Sequence, residues 1–216
     1  MKNKSVLFII IFATFFLHIG NSQAHQPRIV LGEAGTIVSD PEISKVYFGE
    51  LDGQANFFTI HKDAPFNLYI NALVPDVMGV QKNISVEIRK DGQLIATLDG
   101  VNFKWKNFYD PFAGDNYFKG PEYRMSVEPG DYKIKIFNQN ETGKYALVFG
   151  ETESFPASEV FRAFITTPQV KKDFFGESGI SAFLNQAVLF FFSIAFAIGG
   201  IIWLFTLTYH KKEIIE

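Results

Sequence analysis

Cysteine is absent from the 216 residues of this chain. Without thiols, neither a disulfide framework nor a thiolate metal centre can form. A domain outside the cytoplasm would then have to fold on its apolar core alone, which favours a prokaryotic envelope protein. An excess of positive charge is also lacking, since 20 basic side chains stand against 23 acidic ones. This balance predicts no nucleic-acid partner, because nucleic acids select strongly basic surfaces.

Catalytic motifs are missing as well. The chain contains no P-loop, no dinucleotide-binding fingerprint and no His-Glu-Xaa-Xaa-His motif. Gly176–Gly179 reads Gly-Glu-Ser-Gly, but no strand pattern precedes it as a nucleophile elbow requires. We therefore expect a protein that is not an enzyme and that needs no cofactor.

The first of two long apolar runs lies at the N-terminus. Lysines precede the apolar stretch Val6–Ile19. Ser22 and Ala24 are small residues at the positions that a signal peptidase recognises. We predict that residues 1–24 form a signal peptide and that the mature chain begins at His25. An uncleaved anchor is the alternative, although the run is short for a membrane span.

The second apolar run lies near the C-terminus. Ala187–Tyr209 carries no charged side chain, and as a helix it would be about 34 Å long, enough for a bilayer. Lys211 and Lys212 follow directly, and the positive-inside rule places such residues in the cytoplasm. We predict one transmembrane helix over 184–209 in the plasma or inner membrane, a cytoplasmic tail over 210–216, and an N-terminal domain outside.

Small residues within this second run suggest contact between membrane helices. Ala195 and Gly199 have the small-xxx-small spacing, and Gly200 is adjacent. Helix–helix pairing is one expectation, and ordinary tolerance of small residues is the other.

Between the apolar runs the pattern has a period of two, which is typical of half-buried strands. Phe66, Leu68 and Ile70 fall on one face of such a strand. Asp91-Gly92 and Pro129-Gly130 separate alternating segments and indicate hairpin turns. With about eight or nine short strands, the pattern predicts an all-β fold, an antiparallel β-sandwich over 25–152.

A helical connector is expected over 153–183. Val160, Phe161, Phe164 and Ile165 have helical spacing, and Pro168 is expected to end the helix. Two interpretations stay open at this point: the helix packs on the sandwich, or it lies on the lipid surface next to the membrane span.

Several stretches resemble a known family. "VYFGELDGQANFFTIHKDAPFNLYI", "NISVEIRKDGQLIA" and "VEPGDYKIKIFNQNETGKYALVFG" are similar to the strands of the bacterial pre-peptidase C-terminal domain. The resemblance covers about residues 44–150 and implies a jelly-roll-like sandwich that acts as a binding or folding module. Related collagen-binding domains hold Ca²⁺ through acidic loop residues. The stretch 107–124 lies outside the family pattern, and no peptidase domain is attached.

That stretch, "NFYDPFAGDNYFKGPEYR", supplies two candidate sites on what we expect to be a packed loop. Its rings could form an exposed platform for a sugar or a partner protein, or half of them could cover the sandwich edge. Its oxygen-bearing side chains could bind Ca²⁺, or they could simply form turns. The rings are Phe108, Tyr109, Phe112, Tyr117, Phe118 and Tyr123, and the candidate calcium ligands are Asp110, Asp115, Asn116 and Glu122.

Histidine supplies a third candidate. After cleavage, the free amine and imidazole of His25 would form a chelating pair suited to Cu²⁺, and His61 could add a third nitrogen. The alternative is that His25 is a frayed terminus and that His61 caps a strand.

Together these patterns predict a non-catalytic, membrane-anchored binding or interaction protein outside the cytoplasm. We expect it to have a protein partner and to be a subunit or accessory of an envelope complex. The alternative function is periplasmic copper handling through His25.

Overall fold

The computed structural model describes residues 25–30, 35–111, 113–184, 195–196, 198–200 and 202–203. The expected signal peptide, the cytoplasmic tail and most of the expected membrane helix lie outside the described residues, as does Phe112. Among the described residues, no helix is both long enough and apolar enough to cross a bilayer.

The described residues form two packed sheets, as the period-two pattern predicts. Sheet A has six strands and sheet B has five, and most neighbouring strands are antiparallel. In spatial order, sheet A contains β1 (Gln26–Ile29), β3 (Lys45–Asp52), β11 (Thr142–Phe149), β5 (Phe66–Pro75), β9 (Asp115–Val127) and β8 (Lys106–Asp110). Sheet B contains β2 (Thr36–Ile37), β4 (Asn56–Lys62), β10 (Gly130–Phe137), β6 (Ser85–Lys90) and β7 (Gln93–Leu98).

The main core lies between the sheets. Phe66, Leu68 and Ile70 of β5 are buried there, as their alternation predicts. Sheet B contributes Phe58 and Ile134, which are fully buried. A sandwich of this type is therefore stabilised by apolar burial from two inner faces, without any disulfide.

The predicted hairpin at Asp91-Gly92 is confirmed. The one predicted at Pro129-Gly130 is wrong, because that turn connects β9 of sheet A to β10 of sheet B. Asp91 has φ 48° and Gly92 has φ 83° between β6 and β7. Two consecutive positive φ angles define the hairpin turn that Asp-Gly favours, because its twist matches that of the strands.

Sheet A is covered on its outer face by helix α1 (Ala157–Asp173) and a short 3-10 helix (Gly179–Leu184). Val170 and Phe174 bury their side chains in a second apolar cluster with Phe48 and Leu73 of the sheet. Arg28 of β1 forms an ion pair with Glu159 of the helix at 2.8 Å. The interpretation that the connector packs on the sandwich is thus confirmed for this face of the helix.

Pro168 does not end this helix, contrary to the sequence expectation. It lies inside α1, which continues to Asp173. Proline removes one backbone hydrogen bond and costs about 3 kcal/mol in a helix interior. Burial of Val170 and Phe174 against the sheet offsets this cost, since a fully buried large apolar side chain contributes roughly 1.5–3 kcal/mol.

The stretch 107–124 is a β-hairpin and not the loop that the sequence suggested. Strands β8 and β9 pair from Lys106 with Lys119 to Asp110 with Asp115. Gly114 closes the turn by donating its N–H to the carbonyl oxygen of Asp110 at 2.8 Å. Its proline, glycine and aspartate content favours a loop, but pairing with a long partner strand overrides these local preferences.

Candidate functional site

An apolar pocket of about 370 Å³ lies between the outer face of sheet A and helix α1. This volume falls in the range of small-molecule binding sites. The sheet contributes Val46, Phe48, Leu73, Phe108 and Tyr117 to its walls. The helices contribute Val160, Ala163, Phe164, Thr167, Val170, Ala182 and Phe183.

The local sequence explains why this space stays open. The helix contacts the sheet closely near its C-terminal end, where Phe174 packs edge-on against Phe48 with ring centroids 5.0 Å apart. About two and three turns earlier, Thr167 and Ala163 line the pocket. These side chains are too small to fill the distance between a helix and a sheet, so a cavity remains.

A buried ion pair closes one end of the pocket. Lys171 of α1 donates a hydrogen bond from Nζ to the carboxylate of Asp115, and the two side chains are 3% and 2% exposed. A second carboxylate, that of Glu177, lies 3.7 Å from the same nitrogen. Burial raises the pKa of Asp115 to about 6, although the contact with Lys171 acts in the opposite direction.

Asp110 lies next to this pair. It is the register partner of Asp115 across the hairpin, it is buried, and it lines the pocket. Its side-chain Oδ1 accepts the N–H of Ala113 at 3.2 Å. The hairpin turn therefore brings two carboxyl groups to one end of an otherwise apolar wall.

The remaining polar groups of the pocket are neutral. Burial raises the pKa of Tyr117 well above its ordinary value, so its hydroxyl stays protonated. Burial lowers the pKa of His25 to about 4, and its Nδ1 lies 2.5 Å from the hydroxyl oxygen of Ser44. At neutral pH the pocket therefore suits an uncharged apolar group.

The aromatic residues expected to form one platform are divided between opposite faces of sheet A. Phe108 and Tyr117 line the pocket, while Phe118 and Tyr123 pack against the core between the sheets. Tyr109 is 50% exposed. Neighbouring residues of a strand point to opposite faces, which separates Tyr117 from Phe118. A β-bulge of β9 opposite Ala72 shifts the alternation by one residue and returns Tyr123 to the face of Phe118.

The four candidate calcium ligands do not converge. Asp110 and Asp115 are adjacent, but Asn116 is exposed on the other side of β9. Glu122 accepts hydrogen bonds from Lys119 at 2.9 Å and from the hydroxyl of Tyr69 at 3.2 Å. In the part of the chain that the structure describes, no group of three or more His, Asp or Glu side chains could hold a metal. The ammonium group of Lys171 neutralises Asp115 instead.

The candidate copper ligands lie on different sheets. His25 immediately precedes β1 of sheet A, whereas His61 belongs to β4 of sheet B. His61 is exposed and lies 2.6 Å from Asp131 and 3.3 Å from Asp63. The hydrogen bond and the charge of Asp131 raise the pKa of His61. Neither histidine contacts the other's hydrogen-bond partners in the described residues.

The small residues proposed for helix pairing are helical where the structure describes them. Ala195 and Gly199 are exposed, and Gly200 is half-buried. Their neighbours lie partly outside the described residues, so pairing of membrane helices stays a prediction.

Sequence reasoning missed Lys171 and Ala163. Lys171 stands in a "KKD" run that is typical of a solvated surface. The sequence feature that indicates burial of Lys171 is its position: it precedes Phe174 by three residues, so the two side chains share a helix face. An apolar helix face that includes a lysine indicates an acidic partner on the opposite surface.

The sequence matches no family model and no curated protein. By structure, the chain is similar to the pre-peptidase C-terminal domain of a collagenase from Bacillus anthracis, with 12% identity, a TM-score of 0.35, and coverage of 56% of this chain and 97% of that one. It is also similar to CorA, a surface-associated copper-binding protein of Methylomicrobium album BG8, with 10% identity, a TM-score of 0.30, and coverage of 54% and 96%. A β-glucosidase from Paenibacillus barengoltzii matches with 13% identity and a TM-score of 0.26, and the match covers 61% of this chain but 14% of the enzyme. The type of domain that the sequence pattern indicated is thus found again among similar structures.

Proposed function

We propose that this protein is a non-catalytic binding protein located outside the cytoplasm and anchored by the predicted membrane helix 184–209. Its binding site is the pocket between sheet A and α1. The observation that supports this proposal is a cavity of about 370 Å³ beneath a single helix, with mainly apolar walls and the carboxyl groups of Asp110 and Asp115 at one end. Such a cavity in a folded domain is the usual form of a small-molecule site.

The chemistry of the walls selects the ligand group. Lys171 neutralises Asp115 at one end of the pocket. The walls away from Asp110 and Asp115 are apolar, so a bound group would have to contribute mainly apolar surface. Ala195 of the predicted membrane segment lies among the lining residues, so the pocket adjoins the part of the chain expected to contact lipid. The ligand group that fits best is an acyl chain, supplied by a lipid or by a lipid-modified partner in an envelope complex.

A non-catalytic role fits the polar groups of the pocket. His25 and Ser44 are in hydrogen-bond contact, as a base and a nucleophile would be. However, Ser44 is only 2% exposed, so its hydroxyl cannot reach a substrate in the pocket. Asp115 is held by Lys171 and is not available as a general base.

Copper handling, the alternative function, requires His25 to leave its contact with Ser44 and to gain further ligands. The separation of His25 and His61 between two sheets gives this alternative no geometric support. Copper titration of the protein with the mature N-terminus would support it only if tight binding were lost in a His25→Gln variant.

Titration with N-phenyl-1-naphthylamine, an uncharged fluorophore, tests the pocket. A fragment of residues 22–184 contains both apolar clusters and all of the lining residues except Ala195, and it should show saturable fluorescence enhancement at one site per chain. Ala163→Trp should abolish it, because the larger ring fills the cavity. Ala157→Trp, an equal change at an exposed position of the same helix, should leave it unchanged. Equal binding by both variants would refute the proposal.

A further inference from the structure

Helix α1 has a second face, turned away from the sheet, that is also apolar. Phe161 is 68% exposed, and Phe164 and Ile165 are each 59% exposed. These residues follow the i, i+3, i+4 spacing of one helix face. A cluster of large exposed apolar side chains on one element indicates an interaction surface.

The exposed charges next to this face are mostly basic. Arg162 and Lys172 are exposed. The side chain of Glu159 is only 13% exposed and forms an ion pair with Arg28 at 2.8 Å, and its other carboxylate oxygen lies 3.6 Å from Nε of Arg162. The remaining carboxylate of α1, Asp173, is its last residue. An apolar stripe flanked by Arg and Lys is typical of helices that lie in a membrane interface.

The position of α1 in the chain points to the same partner. The 3-10 helix Gly179–Leu184 packs beside it, with the rings of Phe164 and Phe183 5.0 Å apart. Ile180 of that short helix is 70% exposed and extends the apolar surface. The uncharged run Ala187–Tyr209 begins immediately afterwards. The exposed face is therefore held at the base of the predicted membrane helix.

We propose that the exposed face of α1 lies on the outer surface of the lipid bilayer. Phe161, Phe164 and Ile165 enter the boundary between headgroups and acyl chains, and Arg162 and Lys172 contact lipid phosphates. This inference rests on the membrane anchor of the proposed function. Phe164 also lines the pocket, so an acyl chain could pass from the bilayer to the pocket along this residue without crossing water.

A second copy of the chain fits this face less well than a lipid surface does. In a two-fold symmetric dimer the same patch meets itself. Arg162 and Lys172 would then approach the same two cations of the other copy, whereas α1 has a single exposed acidic side chain, Asp173, at its C-terminal end. Anionic headgroups supply the complementary charge.

Photolabelling in vesicles tests the proposal with the full chain. The vesicles contain phosphatidylcholine, phosphatidylglycerol and a phospholipid with a diazirine on its acyl chain, and labelled peptides are mapped by mass spectrometry. We expect label in 157–173 as well as in 185–209. Phe161→Ser/Ile165→Ser should reduce the label in 157–173 severalfold and leave that in 185–209 unchanged. Met78→Ser/Val101→Ser, an equal change at exposed positions of the sandwich, should change neither.

The outcomes separate the inference from the proposed function. If 185–209 is labelled but 157–173 carries no more label than the residues around Met78, the inference is overturned and the membrane anchor still holds. An absence of label in 185–209 would overturn both. Crosslinks between α1 helices of two copies, without lipid label in α1, would overturn the inference in favour of a dimer interface.

Discussion

The buried ion pair of Asp115 and Lys171 determines the chemistry at one end of the pocket. An isolated charge in this position would carry a large desolvation cost, and the partner offsets part of it. The pair also fixes the geometry of the site, because it joins the turn end of the β8–β9 hairpin to the C-terminal end of α1. A mutation of either residue therefore affects two elements at once.

We expect Asp115→Asn to lower the free energy of unfolding by about 3–5 kcal/mol, because it leaves the ammonium group of Lys171 buried without a counter-charge. The double variant Asp115→Asn/Lys171→Met should lose less than the sum of the two single variants. Urea unfolding of the 22–184 fragment, followed by Trp105 fluorescence, measures both.

The matched control is the exposed pair of Lys119 and Glu122, whose nitrogen and oxygen lie 2.9 Å apart. Lys119→Met should change the free energy of unfolding by less than about 1 kcal/mol, as is usual for surface ion pairs. Equal effects at the two pairs would contradict a structural role for Asp115.

His25 makes the folded state sensitive to acid. Its pKa falls from 6.5 in the unfolded chain to about 4 on folding, so the stability that it contributes is complete above pH 6.5 and is lost as the pH falls towards 4. Between pH 7 and pH 5 the loss should be about 2 kcal/mol. A His25→Gln variant should not show this loss of unfolding free energy.

Asp115 also titrates in this pH range. The loss of stability caused by His25 therefore has to be measured as the difference in unfolding free energy between the wild type and His25→Gln. The pKa of Asp115 is raised from 3.8 to about 6, so its contribution to stability is present below pH 3.8 and is lost as the pH rises through 6. The two residues thus act in opposite directions over the same interval. If wild type and His25→Gln have parallel pH profiles, His25 is not buried as described.

Helix α1 is the element on which both proposals depend. One face closes the pocket and carries Val170, Lys171 and Phe174 into the sheet, and the other carries exposed rings. The sequence indicated the apolar spacing of this helix, but not which rings would face the sheet. That division depends on where the sheet presents Phe48 and Asp115, which is a property of strand pairing between distant segments.

We expect Phe174→Ala to detach the C-terminal end of α1 from sheet A. Loss of a buried phenylalanine typically costs about 3–5 kcal/mol, and Phe174 is buried against Phe48. Trypsin should then cleave faster after Arg162 and Lys172, because cleavage requires local opening of the helix.

Phe161→Ala is the matched control, since it makes the same chemical change on the exposed face of the same helix. It should alter the free energy of unfolding by no more than about 0.5 kcal/mol. Similar proteolysis of both variants would contradict the assignment of the two faces.

The fold of the whole molecule was predictable from the sequence to a large extent, and the site was not. Alternation along β5 and the Asp91-Gly92 turn are local signals, and the structure confirms both. The pocket depends on small side chains such as Ala163 facing a distant sheet, and no local pattern distinguishes a cavity from a filled interface. The sequence of the β8–β9 hairpin suggests a loop, because its Pro, Gly and Asp content favours one and the pairing of β9 with the distant strand β5 leaves no local signal.

In the residues that the structure describes, the outer face of sheet A, helix α1 and Ala195 of the predicted membrane segment line an apolar cavity. We propose that an apolar chain binds in that cavity. Native mass spectrometry of the full chain, extracted from its own membrane, measures this binding. We predict a bound acyl-containing molecule on the wild type and on Ala157→Trp, and its loss from Ala163→Trp. If the wild type carries no ligand, or if Ala163→Trp carries as much of it as the wild type, an apolar chain does not bind in this cavity.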